Sequence, residues 1–324
     1  MKKLIAASAC AVALAACQSA GSPQATQQTT GNPAWDSTYG GADKSHDAQF
    51  LQQREQLASR FQVLTFKDPE NGVEMAYNLF VPKGYDPKDS SKRYPLVMFI
   101  ADASTAGKGA KAPLMQGWGG IIWASDAVQG KEPVFVLVPS FKQTAVNDQH
   151  QTTPEVATAL RLFKATVQSH RIDPQRLYTT GQSMGGMISF YLNSIEPDLF
   201  AASMFVGSQW DVNALQPLTR ARFIYTVSAA DPKASVGMNE VGQMLKNAGV
   251  TYGETEFSAR LPQSEQDARV TALLALGQRI NFIRFSPGTV TPEGYVGKGG
   301  EHMYSFDYAY RLAPARDWLL AQRK

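Results

Sequence analysis

Two stretches of the chain, PLVMFIA (95–101) and PVFVLVP (133–139), are unbroken apolar runs of strand length. A strand wet on one face would alternate, so such runs predict central strands covered on both sides. Before them, RFQVLTFKD and VEMAYNLFVP read as two early strands, bounded by the turn-rich PENG and PKGYDPKDSSK. RLYTTG (176–181), AASMFVGS (201–208), RFIYTVSA (222–229) and INFIRF (280–285) continue the series. Between them the period changes to that of a helix. Thr153 is a candidate N-cap, with Pro154 at the first helical position and Glu155 in the first turn. Val156, Leu160, Phe163 and Val167 then recur at helical spacing as one apolar stripe. Further helices are predicted over 240–248, ended by Gly249, and over 264–277, ended by Gly277. A last one spans DYAYRLAPARDWLLAQ, interrupted at Pro314. Strands alternating with helices predict an α/β fold: a mostly parallel central sheet with helices on both faces. Such sheets carry their chemistry at the carboxyl ends of the strands.

The N-terminal stretch does not share this pattern. Lys2 and Lys3 precede an alanine-rich apolar run, 4–14, that is too short to span a bilayer and reads as an export signal. The run ends in LAAC (14–17), which resembles a bacterial lipobox. That resemblance implies removal of residues 1–16, acylation of Cys17 and attachment to the cell envelope. Gln18 after the cysteine points to an outer membrane if the cell has two membranes. An ordinary signal-peptidase site with Cys17 incidental is the alternative. Cys10 is the only other cysteine and falls within the signal, so the mature chain can form no internal disulfide. Residues 17–45, rich in Gln, Thr, Gly and Ser, read as a flexible lipidated tether, and 46–324 as one catalytic domain. The chain carries 31 basic and 28 acidic side chains, and removal of Lys2 and Lys3 leaves it almost neutral. A surface without excess positive charge argues against nucleic acid as a partner.

The candidate chemistry lies in TTGQSMGGM (179–187). Gly181-Gln182-Ser183-Met184-Gly185 fits G-x-S-x-G after a predicted strand and before a helix-compatible segment, the setting of a nucleophile elbow. The glycines leave room for backbones brought close by a sharp turn at Ser183. A serine hydroxyl needs a base to take its proton. Of four histidines, His46, His150 and His170 precede Ser183, whereas the order on α/β-hydrolase sheets is serine, acid, histidine. His302, expected in a glycine-rich loop before the last helix, remains. Asp231, directly after the strand FIYTVS, is the candidate acid that would fix its tautomer, and Asp211 is the alternative. The N–H groups of Met184 and Ala103 are the candidate oxyanion donors.

Several segments together resemble a group of secreted α/β-hydrolases, some called predicted peptidases and others esterases related to polyhydroxybutyrate depolymerases. The segments are NGVEMAYNLFVPKGYDP, RYPLVMFIADAS, RIDPQRLYTTGQSMGGM, SAADP and GGEHMYSFDYAY, and the likeness runs from about residue 60 to 322. It implies ester hydrolysis with Ser183, Asp231 and His302 as the triad. The chain departs from the group at Ala101-Asp102, where a histidine followed by Gly or Asp is usual. Two alternatives stay open: the same machinery acting on peptides or amides, and an inactive hydrolase fold serving as a surface binding protein. Residues 103–130 form a long insertion near the expected pocket mouth. Gln182, Trp118, Trp123 and Trp210 are the candidate substrate contacts. No metal or dinucleotide motif is present, so no cofactor is expected, and the expected partner is a small or polymeric ester.

Overall fold

The structure, a computed structural model, describes residues 35–295 and 297–324. The expected signal and Cys17 therefore lie outside the described residues. Nine strands form one sheet: β1 (Gln62–Lys67), β2 (Glu74–Phe80), β3 (Tyr94–Ile100), β4 (Phe135–Ser140), β5 (Ile172–Gln182), β6 (Ala202–Val206), β7 (Phe223–Ser228), β8 (Gly253–Phe257) and β9 (Ile280–Phe285). Their order across the sheet is β1-β2-β4-β3-β5-β6-β7-β9-β8. The pairs β1–β2 and β2–β4 are antiparallel, and every pair from β4–β3 to β9–β8 is parallel.

The apolar runs do what their lack of alternation implies. Along β3, Leu96, Met98 and Ile100 enter one hydrophobic core while Val97 and Phe99 enter the other. Successive side chains of a strand point to opposite faces, so both faces of the strand are dry. The stripe of the helix Pro154–Ser169 covers one face, where Val156 and Phe163 are fully buried. Each contributes about 1.5–3 kcal/mol by leaving water. The helices Met184–Ile195 and Ala234–Asn247 lie on that same side. The opposite face is covered by Gly300–Arg311, Ala313–Ala321, Ala48–Ala58 and the short helices of the 103–130 insertion.

Three expectations need correction. The packed chain starts before residue 46: Ala42 is buried, and Lys44 reaches Asp307 at 2.6 Å with both side chains nearly excluded from water. The span predicted for the last helix contains two helices, broken at Leu312, with Pro314 in the first turn of the second. The earlier of the two begins at Gly300, so His302 sits on a helix and not in a loop. Gly299, at φ +80°, turns the chain into that helix.

Candidate active site

β5 ends at Gln182, and the helix Met184–Ile195 starts two residues later. Ser183 alone makes the turn, with φ 50° and ψ −118°, a backbone region that costs a non-glycine residue roughly 1–3 kcal/mol. The glycines around it are required by close approach. A Cβ on Gly185 would run into the Ile100 and Ala101 carbonyls at the end of β3, and one on Gly181 into the backbone of Gly185. Registry places these ends together, since Ile100 faces Gly181 and Gln182 faces Val206. The turn is fixed further by the Ser183 N–H, which donates to the Val206 carbonyl at 3.0 Å.

His302 is the third residue of its helix and brings its Nε2 to 2.8 Å from Ser183 Oγ. Its Nδ1 lies 2.5 Å from Asp231 Oδ2. Asp231 stands in the turn after β7 and is 1% exposed. Its other oxygen accepts the N–H groups of Lys233 and Ala234 at 3.0 and 3.1 Å, where the next helix begins. The aspartate thus caps a helix with one oxygen and holds the imidazole with the other. Burial pushes its pKa up. The hydrogen bond and charge of His302, with the two backbone donors, outweigh burial and leave the carboxyl below its ordinary value. Asp211 stands apart from this chain of contacts, capping the 3-10 helix Val212–Arg220 through Asn213.

Met184 opens its helix, and Ala103 opens the short 3-10 helix Ala103–Thr105. First helical residues have no intrahelical acceptor for their N–H groups, and neither N–H has a partner among the described residues. The loop that begins at Ala101 is organised by Asp102. This carboxylate is 2% exposed and accepts from the Ser104 N–H at 2.7 Å, from Gln116 Nε2 and from Gln182 Nε2 at 3.2 Å. Gln182 is therefore buried in a hydrogen-bond cluster behind the elbow and does not face a substrate.

One contributor was not foreseen. Glu301, adjacent to His302, accepts the Gly288 N–H at 2.9 Å and the hydroxyl of Ser228, the last residue of β7. It ties the helix carrying the imidazole to the strand preceding Asp231. Its partners lie 13 and 73 residues away in sequence, and no local pattern signals such a link.

No family model and no curated protein matches the chain. Solved structures do. A thermostable esterase superposes with TM-score 0.67 at 22% identity over 83% of this chain and 64% of that one. A ferulic acid esterase superposes with TM-score 0.51 at 13% identity over 79% of this chain and 97% of that one. The chain thus spans a little under two thirds of the length of the thermostable esterase. The fold is that of the α/β-hydrolases. Ser183, His302 and Asp231 open onto a cleft of about 660 Å³, also lined by Met187, Gln209 and Tyr295. That volume lies within the range of small-molecule sites. The Lys233–Asp148 ion pair, at 2.5 Å, belongs to the same rim.

None of the three tryptophans lines the cleft. Trp118 and Trp123 are buried in the core on the insertion's own short helices, and their indole N–H groups are satisfied by Asp47 and by the Gly119 carbonyl. Trp210 is buried against Tyr191 and His150. Large indoles were needed to fill volume, so the insertion is a packed layer and not the mouth of the cleft at Ser183. Among the described residues, no group of three or more His, Cys, Asp or Glu is arranged to hold a metal ion, and no helix is long and apolar enough to cross a membrane.

Proposed function

We propose that this protein is a serine hydrolase that cleaves carboxylic esters through an acyl-enzyme. The observation that carries this reading is the continuous chain from Ser183 Oγ through both nitrogens of His302 to Asp231, at 2.8 and 2.5 Å. Ser183 Oγ attacks the ester carbonyl carbon while His302 Nε2 takes its proton. The carbonyl oxygen, now anionic, accepts the free N–H groups of Met184 and Ala103. Asp231 stabilises the imidazolium, which hands its proton to the departing alkoxide. His302 then deprotonates a water that attacks the acyl carbon, and the acid leaves as Ser183 regains its proton. The esterase names of the two similar structures favour esters over peptides.

Labelling by a fluorophosphonate probe, lost in Ser183→Ala, tests the nucleophile. Turnover of p-nitrophenyl acyl esters but not of short peptide anilides tests the substrate class. A folded protein that neither labels nor turns over would instead be a binding protein on a hydrolase fold. We further propose attachment to the cell envelope through acylated Cys17, on the strength of LAAC at 14–17. Incorporation of labelled palmitate, abolished by Cys17→Ser, is the expected result.

A further inference from the structure

A second cavity, of about 580 Å³, opens between the helix Ala48–Ala58 and the C-terminal helices. It shares no lining residue with the cleft that holds Ser183, so its chemistry is independent of the esterase reading. One wall is a row of primary amides. Gln49, Gln52, Gln53 and Gln56 fall at i, i+3, i+4 and i+7, which puts all four on one helical face, and all four line the cavity.

The facing walls carry Arg311 and Arg316 and residues 122–127 of the insertion, where the one lining carboxylate, Asp126, is paired with Arg60 at 2.5 Å. Arg316 is only 7% exposed, and among the described residues no carboxylate lies within ion-pair distance of it. Its Nη1 donates to the Tyr310 carbonyl near the end of the preceding helix, while its Nε is buried without a partner there. The Arg311 Nε is likewise buried and unpartnered, and its Nη1 is 3.5 Å from Asp47. A guanidinium removed from water without an anion is costly, and proteins normally pair it. Burial drags the Arg316 pKa down to about 10 against the weaker opposing pull of Asp317 and Asp267. Capping the Tyr310 carbonyl accounts for one nitrogen of Arg316. Arg311, whose side chain is 30% exposed, has Asp47 on one nitrogen only, which leaves its remaining donors and the four amides available to a ligand.

We propose that this cavity binds a small polyol bearing one oxyanion, carboxylate or phosphate, with Arg311 and Arg316 on the charge and the glutamine amides on the hydroxyls. Guanidinium forks match both oxyanions, and an amide both donates to and accepts from a hydroxyl. Calorimetric titration of the mature protein with D-glucuronate, D-glucose 6-phosphate and D-glucose tests this. At least one charged sugar should bind with a millimolar or tighter Kd, with glucose at least about tenfold weaker. Which charged sugar binds better distinguishes carboxylate from phosphate, and comparable binding of both also supports the shared chemistry.

Arg311→Gln, and separately Gln52→Leu with Gln56→Leu, should each weaken binding about tenfold or more, with Tm and turnover in the catalytic cleft unchanged. Arg316→Gln should weaken binding too. Because it also uncaps Tyr310, the other two variants decide the matter. Absence of binding for both charged sugars up to tens of millimolar overturns the proposal. So does binding that survives Arg311→Gln, or glucose binding as tightly as its charged relatives.

Discussion

Gly185→Ala isolates the requirement that the elbow seat directly on the end of β3. The added Cβ would stand 2.8 Å from the Ala101 carbonyl oxygen and closer still to that of Ile100, where ordinary contact begins at 3.4 Å. Both neighbours are backbone, and Ile100 is hydrogen-bonded into the middle of the sheet opposite Gly181. Neither can swing aside as a side chain would. The shortfall is therefore at least about 0.6 Å at Ala101 and greater at Ile100, and the helix Met184–Ile195 must lift by on the order of 1 Å, a misplacement of the kind that costs about 100-fold in rate. It moves the Met184 N–H and Ser183 Oγ away from Ala103 and His302 together. Overpacking of this kind also destabilises by about 1–3 kcal/mol or more.

Gly249→Ala is the control. Gly249 also has an unusual backbone, φ +68°, but open space around it. It should lose about 1–2 kcal/mol from conformation alone and keep its kcat. Urea melts and kcat on a p-nitrophenyl ester measure both quantities. A Gly185→Ala protein with wild-type stability and a kcat within a few fold of wild type would refute the close contact on which the site is built.

Three further outcomes are expected from the geometry. Ser183→Gly and Ser183→Ala both remove the hydroxyl, so the glycine variant should be the more stable by about 1–2 kcal/mol if the turn is strained, as thermal melts will show. Asp231→Asn should lower kcat roughly ten-thousand-fold by favouring the wrong tautomer of His302. Because the Asp231 carboxyl titrates below its unfolded value of about 4, it adds stability that is complete above that pH and fades as pH falls through the lower folded value. The stability difference between wild type and Asp231→Asn should therefore narrow in acid, and a difference independent of pH would count against the assignment. Finally, a chain beginning at residue 46 loses Lys44 and leaves Asp307 buried without its cation. It should be less stable by about 3–5 kcal/mol than one beginning at residue 35, and equal Tm values would show that this pair is dispensable.

What could be read from the sequence was whatever local chemistry dictates. PLVMFIA and PVFVLVP announced central strands because a strand dry on both faces cannot alternate. Gly181 and Gly185 announced the elbow because only close backbone contact asks for both. Elements whose reasons are distant were missed. β8, with Glu254 and Glu256 among its five residues, is an edge strand made by pairing with β9 and not by its own pattern. The start of the His302 helix was hidden because a left-handed glycine, Gly299, enters it where Ser, Thr or Asp would have flagged a cap. Trp118, Trp123 and Trp210 look alike in a sequence whether they line a cleft or fill a core, and Gln182 turned inward because Asp102 and Gln116, 80 and 66 residues away, come to meet it.

The side chain of Tyr178, on the strand that presents Ser183, is held at the end of the helix Ala313–Ala321: its one hydroxyl proton is shared between the carbonyls of Leu320 and Gln322, at 2.9 and 2.7 Å. The imidazole, too, comes 119 residues after the serine it meets. A growing polypeptide can therefore lay down the whole elbow, turn and all, and still lack the base that would take the serine's proton. Loss of Leu320 and Gln322 would free the Tyr178 hydroxyl and leave the strand that presents Ser183 in a looser grip.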